Sequence, residues 1–340
     1  MRYINDDFKK DNIHRSGWKD TISSLKNEYG YYNILVDVYL DATFHWRTDL
    51  LEYLKKDWMG FVHHTPTGNN NSKNLVTGID FANCKGLFVL SCDLKQRLLE
   101  INPNLPPIHV LMHPTETPEQ LFSIGKYISN KEKKLLHIGN WMRDPDEFSK
   151  VRTTLIKYDL NKSDTFLPNT EYDTLLSNNL VCIFLKDASA INTIIECIVR
   201  NTPIVVNPLP AVVEYLGEKY PLYANDSLEA SNKLNNMTLI LSAYTYLCNM
   251  NKTQFTFKYF NDTFNQVMSS NGYHNVDPPL VTTYPVPTDA FQSLSFKIPA
   301  SISRGRTGGL GRRKPVEVNK RRRPFNDRHD FYNDDNENDD

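Results

Sequence analysis

The segment 181–223 constrains the fold more than any other part of the chain, because it contains a complete strand–helix–strand pattern. An uninterrupted apolar run at 181–185 is typical of a buried strand, and a second run at 204–206 has the branched side chains of a buried parallel strand. Between the runs, five branched residues repeat at helical spacing and form one apolar stripe: Ile191, Ile194, Ile195, Ile198 and Val199. The pattern predicts a βαβ unit and therefore an α/β fold with a parallel sheet.

The residues between this strand and this helix are small, and we call 187–190 the small-residue turn. The first turn of a helix offers free backbone N–H groups and the positive end of the helix dipole, so an anion such as a phosphate is expected there. The segment 207–214, after the second strand, is predicted to be a turn punctuated by prolines. Ligands of open α/β sheets bind at such carboxyl ends of strands.

Helical spacing places three polar residues on the face opposite the apolar stripe: Asn192, Glu196 and Arg200. The small-residue turn, a helix that carries a glutamate, and the segments NTPIVVN, LPAVVEYLG and YPLY resemble the nucleotide-sugar-binding domain of GT-B glycosyltransferases, which have two Rossmann-like domains facing a cleft. The resemblance implies that Glu196 binds the ribose hydroxyls of the donor. It also implies that four residues at the start of the helix face the donor diphosphate: Ser189, Ala190, Ile191 and Asn192.

The chain departs from this family at one position. Many members carry a second acidic residue eight positions before the helix glutamate, whereas this chain has Ala188 there and Asp187 one step away. The departure argues against a standard retaining mechanism. For Glu196 the alternative is a solvent-facing residue that pairs with Arg200 at i+4.

Length and composition fit two compact domains and a tail. With 340 residues, of which 40% are hydrophobic, the chain can bury two cores. We predict an acceptor-side Rossmann-like domain at 1–125, a nucleotide-sugar-binding Rossmann-like domain at 126–275, and a linker with a disordered tail at 276–340. A net charge of −1 argues against a nucleic-acid footprint over the whole surface.

Several absences in the sequence predict a cytoplasmic chain without a membrane span. The first residues contain no apolar signal core, and no stretch approaches about 18 uninterrupted apolar residues. Five cysteines are scattered without CxxC spacing, which predicts reduced core thiols.

The first half alternates between predicted strands and helices, as a parallel sheet requires. Strands are expected at 32–40, 59–63, 86–91 and 108–112, and helices at 48–56 and 93–101. The polar segment 65–78 is predicted to be a loop, either mobile over a cleft or a plain insertion.

Two histidines follow the predicted strand in GFVHHTP at 60–66. An imidazole has a pKa near neutrality and can act as a general base or stabilise charge. In several GT-B enzymes a histidine at a comparable strand end lies beside the anomeric carbon, so the resemblance makes His64 the catalytic candidate and His63 the second choice. Neighbours on a strand face opposite sides, so one of them is expected to pack inward. A structural role for both remains open. Asp41 and His45, within DATFHW, are expected to line the cleft.

The second half begins with a predicted strand at 134–139, followed by Asn140 and Arg143. In GT-B relatives the corresponding residues reach the donor phosphates, and a guanidinium can hold a phosphate bidentately. Lys186, directly after the buried strand, is a further phosphate ligand by position. Asp144 and Asp146 spell an Asp-x-Asp motif, but the motif is short and common by chance, so we predict neither a metal nor another cofactor.

The end of the chain is predicted to contain an aromatic helix within 249–268 and then a charged tail. Phe257, Phe260 and Phe264 have the spacing of a packing face, which fits either a helix that returns to the first domain or a core helix of the second. After residue 302 a basic block precedes an acidic one. The basic block could contact nucleic acid or a protein weakly, or the tail could be a solvated appendage.

These features together predict a glycosyltransferase that moves a sugar from a nucleotide-diphosphate sugar to an unidentified acceptor without a metal. The alternative is a non-catalytic GT-B-like interaction or assembly protein that uses its charged tail. The sequence lacks the motifs of dinucleotide-binding and P-loop proteins, because no GxGxxG follows a strand and no GxxxxGK[ST] is present.

Overall fold

Parallel strands alternate with helices along a computed structural model of the chain, which describes residues 3–4, 17–68, 71–162 and 167–276. The strands are β1 (Tyr3–Ile4), β2 (Tyr31–Tyr32), β3 (Leu35–Asp37), β4 (Trp58–Val62), β5 (Cys84–Val89), β6 (Ile108–Val110), β7 (Lys134–His137), β8 (Ile156–Asp159), β9 (Leu180–Ile183), β10 (Ile204–Val206) and β11 (Asn275–Val276). The predicted tail after residue 276 lies outside the described residues.

The helices cover both sheets. They are α1 (Trp18–Tyr29), α2 (Leu40–His45), α3 (Ser72–Gly78), α4 (Cys92–Ile101), α5 (Ile124–Ser129), α6 (Pro145–Lys150), α7 (Asn169–Asn178), α8 (Asn192–Arg200), α9 (Pro210–Leu216), α10 (Ser227–Leu234), α11 (Met237–Asn249) and α12 (Phe257–Ser270). Short 3₁₀ helices lie at Thr48–Lys55, Leu160–Lys162 and Thr253–Phe255.

The first sheet has the strand order β1-β3-β4-β5-β6, and every neighbouring pair is parallel. All five residues of β4 are buried, as expected of a central strand covered on both faces. Phe61 of β4 stacks on Phe88 of β5, with ring centroids 4.7 Å apart. Helix α12 returns to this sheet late in the chain, and its Phe264 stacks on Phe61 at 5.8 Å. The aromatic helix therefore packs in the core of the first sheet.

The second sheet has the order β10-β9-β7-β8, also with parallel neighbours. From β7 the chain crosses to β8 on one side of the sheet, whereas β9 and β10 lie on the other side of β7. The direction of winding therefore reverses between β7 and β9. Loops diverge at such a reversal and leave a crevice outside the carboxyl ends of the two strands. The residues after β7 and after β9 are those in which the sequence predicts phosphate ligands.

Local structure differs from the predictions in several places. Residues 207–214 were expected to form a turn, but Pro210 starts α9, because proline is favoured in the first turn of a helix. The loop expected at 65–78 contains α3, whose N-cap Asn71 accepts a hydrogen bond from the backbone of Asn74. The strand expected at 32–40 is shorter, and Leu40 begins α2. The helix expected at 48–56 is a 3₁₀ helix.

The cysteines also differ in part from the prediction. All five are free, but only Cys84, Cys182 and Cys197 are buried, whereas Cys92 and Cys248 are exposed.

Candidate functional site

The small-residue turn leads from β9 into α8 at the winding reversal. Ala188 and Ser189 are buried, and Ala190 is half-buried. Ile191 is the N-cap residue, and Asn192 is the first residue of α8. No side chain caps this end of the helix, so its first N–H groups face outward with the positive end of the helix dipole. Small side chains in the turn leave these groups accessible to an anion.

The turn lies against the first sheet. The Ser189 hydroxyl is 3.5 Å from the hydroxyl of Ser91, the N-cap residue of α4 at the end of β5. The predicted diphosphate-facing residues therefore lie between the carboxyl ends of strands from both sheets.

Glu196 is buried, with 1% of its surface exposed, so the alternative of a solvent-facing residue is wrong. Its Oε2 accepts a hydrogen bond of 2.5 Å from the Tyr172 hydroxyl on α7. Arg200 interacts with its i+4 neighbour Glu196: its Nη1 donates to the Glu196 backbone carbonyl at 3.4 Å. Burial acts to lower the pKa of Arg200, but the charges of Glu196 and Asp173 raise it. The Nη2 atom of Arg200 lies 2.7 Å from Oδ1 of buried Asp173 and 3.3 Å from Oε1 of Glu116. Helix α7 packs against the polar face of α8, so the charged side chains on that face are buried.

Arg143 reaches the first turn of α8 from the loop after β7. Its Nε donates to the Ile138 carbonyl at 3.1 Å, and its Nη2 donates to the Thr193 hydroxyl at 3.3 Å. Gly139 makes this approach feasible, because a Cβ there would lie 3.0 Å from the guanidinium. Burial lowers the pKa of Arg143 to about 10, against the opposing effect of Glu196 and a nearby tyrosine. The side chain therefore stays cationic at neutral pH.

The other two predicted phosphate ligands are more exposed to solvent than Arg143. Lys186 is exposed at the end of β9, and Asn140 is exposed in the loop after β7. The backbone N–H of Lys186 donates to the Met142 carbonyl at 3.0 Å, which ties the two strand-end loops together. The loops that carry Asn140, Arg143 and Lys186 therefore adjoin at the carboxyl ends of β7 and β9.

His64 is buried at the end of β4 and has polar groups near both ring nitrogens. Its Nε2 is 3.0 Å from the Tyr39 hydroxyl, and its Nδ1 is 4.0 Å from Oδ1 of Asp41. Asp41 is fully buried at the start of α2, and it also accepts hydrogen bonds from the backbone N–H groups of His63 and His64. Burial raises the pKa of Asp41, while His64 and these hydrogen bonds oppose that effect. Asp41 therefore orients the whole two-histidine segment.

Trp141 brings His64 next to the second sheet. The ring centroids of Trp141 and His64 are 5.3 Å apart, and Trp141 belongs to the same loop as Arg143. The catalytic candidate of one sheet and the phosphate-binding candidates of the other thus adjoin the same loop.

His63 is half-buried and its ring packs against aromatic side chains, whereas His64 is the more buried of the two neighbours. Its ring lies 4.5 Å from the Trp18 ring and 4.7 Å from the Tyr39 ring. Its Nε2 is 3.3 Å from the Val38 carbonyl. Burial lowers the pKa of His63 to about 3. The ring is therefore neutral at physiological pH and packs among aromatic neighbours.

His45 lies at the end of α2, where its Nε2 is 3.3 Å from the Asn71 carbonyl. Burial lowers its pKa, with Asp41 opposing that effect. His45 thus contacts the loop before α3.

Three residues that sequence reasoning missed lie around Asp187 on the side of the first sheet. The Arg97 guanidinium on α4 donates to both carboxylate oxygens at 2.8 Å, and the Thr67 hydroxyl donates to the same carboxylate. Thr65, which is fully buried, lies 3.2 Å from Thr67 between their hydroxyl oxygens. The separation from Asp187 along the chain, 90 residues for Arg97 and 120 for Thr67, left no local signal.

Glu214 makes a second contact with α4. Both of its carboxylate oxygens accept hydrogen bonds of 2.8 Å from the backbone N–H of Cys92. A carboxylate at a helix N-terminus is favoured by the helix dipole. Glu214 of α9 therefore contacts the first turn of α4, and Asp187 of the small-residue turn contacts Arg97 on the same helix.

Two findings concern the whole described part of the chain: one on metal-binding groups and one on membrane-spanning helices. Within the ranges 3–4, 17–68, 71–162 and 167–276, no group of three or more His, Cys, Asp or Glu side chains is arranged to hold a metal ion. In the same part of the chain, no helix has the length and apolar character needed to cross a membrane.

No protein-family model matches the sequence, and no curated protein sequence matches it. Among solved structures, the chain is similar to Anabaena Alr3699/HepE in complex with UDP and glucose, with a TM-score of 0.57 and 10% identity over 74% of this chain and 81% of that chain. It is also similar to the pneumococcal O-GlcNAc transferase GtfA in complex with UDP and GlcNAc, with a TM-score of 0.52 and 11% identity over 70% of this chain and 57% of that chain.

A third similar structure is the N-terminal domain of trehalose-6-phosphate phosphatase from Candida albicans, with a TM-score of 0.51 and 13% identity over 75% of this chain and 76% of that chain. At these identities the likeness concerns the fold. It agrees with the two parallel sheets, the winding reversal and the contacts between their strand ends described above. The chain therefore has the GT-B fold, with two Rossmann-like parallel sheets facing a cleft, as the sequence predicted.

Proposed function

We propose that this protein is a glycosyltransferase that transfers a sugar from a nucleotide-diphosphate sugar to an acceptor held by the first sheet. One observation carries the proposal: the crevice at the β7/β9 reversal gathers Arg143 and the open N-terminus of α8, and it adjoins His64 through Trp141. The UDP in the similar structures of HepE and GtfA agrees with a nucleotide donor.

Donor binding is assigned to the second sheet. The diphosphate lies at the first turn of α8, where free N–H groups and the cationic Arg143 and Lys186 balance its charge. Glu196 binds the ribose hydroxyls once the Tyr172 hydroxyl gives up its hydrogen bond. This assignment requires Tyr172 to move, because Glu196 is buried and accepts the Tyr172 hydrogen bond.

The chemical step is assigned to His64 and Asp41. As the sugar–phosphate bond breaks, the leaving diphosphate takes up negative charge, which Arg143 and the α8 N-terminus stabilise. His64 lies on the opposite side of the cleft, where its imidazole accepts the acceptor proton or stabilises charge at the sugar carbon. Buried Asp41 positions the ring from the side of Nδ1. These groups supply the required charges without a metal.

Thermal unfolding with a panel of nucleoside diphosphates and nucleotide sugars tests the proposal. We expect one nucleotide family to raise the unfolding temperature. The Glu196→Gln variant should lose that shift, whereas Glu218→Gln, an exposed glutamate of the same half, should keep it. Product formation with the stabilising donor should then fall by about 10²-fold or more in His64→Gln.

A non-catalytic GT-B-like interaction or assembly protein is the second candidate. It is favoured by the position and the contacts of Asp187, the acidic residue of the small-residue turn. Ala188 occupies the family position, and Asp187 is engaged by Arg97. A well-folded sample that no nucleotide stabilises would support this candidate and direct attention to binding partners of the charged tail.

A further inference from the structure

Thr65, Thr67 and Arg97 form a small group of donors at the mouth of the cleft, on the side of the first sheet. Arg97 presents two N–H groups in parallel, each 2.8 Å from an oxygen of Asp187. Thr67 donates its hydroxyl to the same carboxylate, and fully buried Thr65 is within hydrogen-bond distance of Thr67. We call these three residues the anion subsite.

The anion that fills this subsite comes from the other sheet. Partial burial by itself would raise the pKa of Asp187, but the hydrogen bonds from Arg97, Thr67, Ala188 N–H and Thr65 lower it. The Asp187 carboxylate is therefore ionised in the subsite. It is attached to the small-residue turn, so its presence in the subsite also holds the turn against the first sheet.

A guanidinium fork binds a phosphate group with the same two-point geometry as a carboxylate. A phosphate group also carries more charge and offers three acceptor oxygens. The subsite borders the turn at which the proposed function places the donor diphosphate. A phosphate entering the cleft would therefore meet Arg97 as soon as Asp187 moved away.

We propose that Thr65, Thr67 and Arg97 bind a phosphate group of the substrate and that the Asp187 carboxylate competes with this phosphate for their subsite. The inference rests on the proposed function for the location of the donor. Arg97 thereby becomes a substrate ligand contributed by the first sheet, and Asp187 becomes a competitor that the phosphate displaces.

Isothermal titration with inorganic pyrophosphate measures this competition, with Asp187→Asn as the main variant. Removing the competing anion raises the fraction of protein with an open subsite, so we expect Asp187→Asn to bind pyrophosphate about tenfold more tightly than the wild type. If Asp187 only fastens the two sheets, the same substitution loosens the site and weakens binding. That result would overturn the proposal.

Asp93→Asn is the matched control for overall charge. Asp93 also pairs with Arg97, at 3.3 Å, but it lies on the same helix. Its neutralisation removes an equal charge near the subsite and leaves the Asp187 carboxylate in place. Equal effects of the two variants would mean that only long-range electrostatics had changed, and the proposal would fail.

Two further variants test direct contact. Arg97→Lys in the Asp187→Asn background keeps the charge but loses the fork, so the gain in affinity should disappear. Thr67→Val alters an exposed position and should fold even if Asp187→Asn does not. We expect it to weaken pyrophosphate binding several-fold, and an unchanged affinity would contradict the proposal.

The source of the phosphate group is resolved by comparing UDP with a sugar monophosphate. A stronger effect of the Arg97 and Asp187 substitutions on UDP identifies the donor diphosphate, and a stronger effect on the sugar phosphate identifies a phosphorylated acceptor. Pyrophosphate binding without any nucleotide binding would refute the proposed function and leave the subsite intact. Absence of pyrophosphate binding in the wild type and in Asp187→Asn would refute the subsite.

Discussion

The ion pair between Asp173 and Arg200 provides a quantitative test of the charged layer beneath the donor site. Both side chains are buried, with 0% and 2% exposed, and Oδ1 of Asp173 accepts hydrogen bonds of 3.1 Å and 2.7 Å from Nε and Nη2 of Arg200. Removing one partner of a buried pair costs about 3–5 kcal/mol, because the other charge remains without its counterion. After this substitution Arg200 still interacts with two other carboxylates: Glu116, at 3.3 Å, and Glu196, whose charge also raises the pKa of Arg200 against the effect of burial. We therefore expect Asp173→Asn to destabilise the protein by about 3 kcal/mol, at the lower end of that range.

Equilibrium unfolding in urea measures this loss. With a slope of about 3 kcal/mol per M, the expected loss lowers the midpoint by about 1 M. Glu52→Gln breaks an exposed pair with Lys55 and should leave the midpoint unchanged. The double variant Asp173→Leu with Arg200→Met removes both charges and should unfold at higher urea than Asp173→Asn. A midpoint for Asp173→Asn within about 0.3 M of the wild type would refute the reasoning, because that corresponds to about 1 kcal/mol.

Three further predictions concern other parts of the chain. The pKa of His63 is about 3 in the folded state and about 6.5 in the unfolded state. Between these values the unfolded state binds a proton at this residue and the folded state does not, so acidification lowers stability. The thermal midpoint should therefore fall less between about pH 7 and pH 4 in His63→Phe than in the wild type. Gly217→Ala should cost more than about 1 kcal/mol in a urea titration, because φ is 82° and a Cβ would collide with the Tyr246 hydroxyl. Tyr215→Phe should cost about 1–3 kcal/mol in the same assay, because the buried hydroxyl donates to the Leu90 carbonyl at 2.6 Å and that acceptor would lose its partner.

The fold was largely predictable because its signals are local and redundant. The apolar runs that form β9 and β10 are continuous, and the stripe of α8 repeats over more than two turns. Helix α9 was missed for an equally local reason, since a proline is common in turns, whereas Pro210 is the first residue of the helix. The residues after a proline decide between a turn and a helix start, and the apolar segment after Pro210 favours the helix.

The environment of Glu196 could not be predicted from the periodicity of its own helix. Helical spacing shows which side chains share a face, but it does not show what covers that face. Tyr172 and Asp173 come from α7, and they convert the polar side of α8 into a buried network. Polar residues on a helix are exposed by default, and only contact with another polar element reverses that expectation.

The small-residue turn carries its acidic residue, Asp187, one position before the position at which many GT-B members have theirs. Ala188 is 1% exposed and packs in the core. Asp187, one step earlier, faces the first sheet and binds Arg97. The turn therefore presents no free carboxylate to a bound sugar. The proposed function therefore assigns proton transfer to His64 and Asp41 in the opposite half, and it divides donor binding and proton transfer between the two sheets.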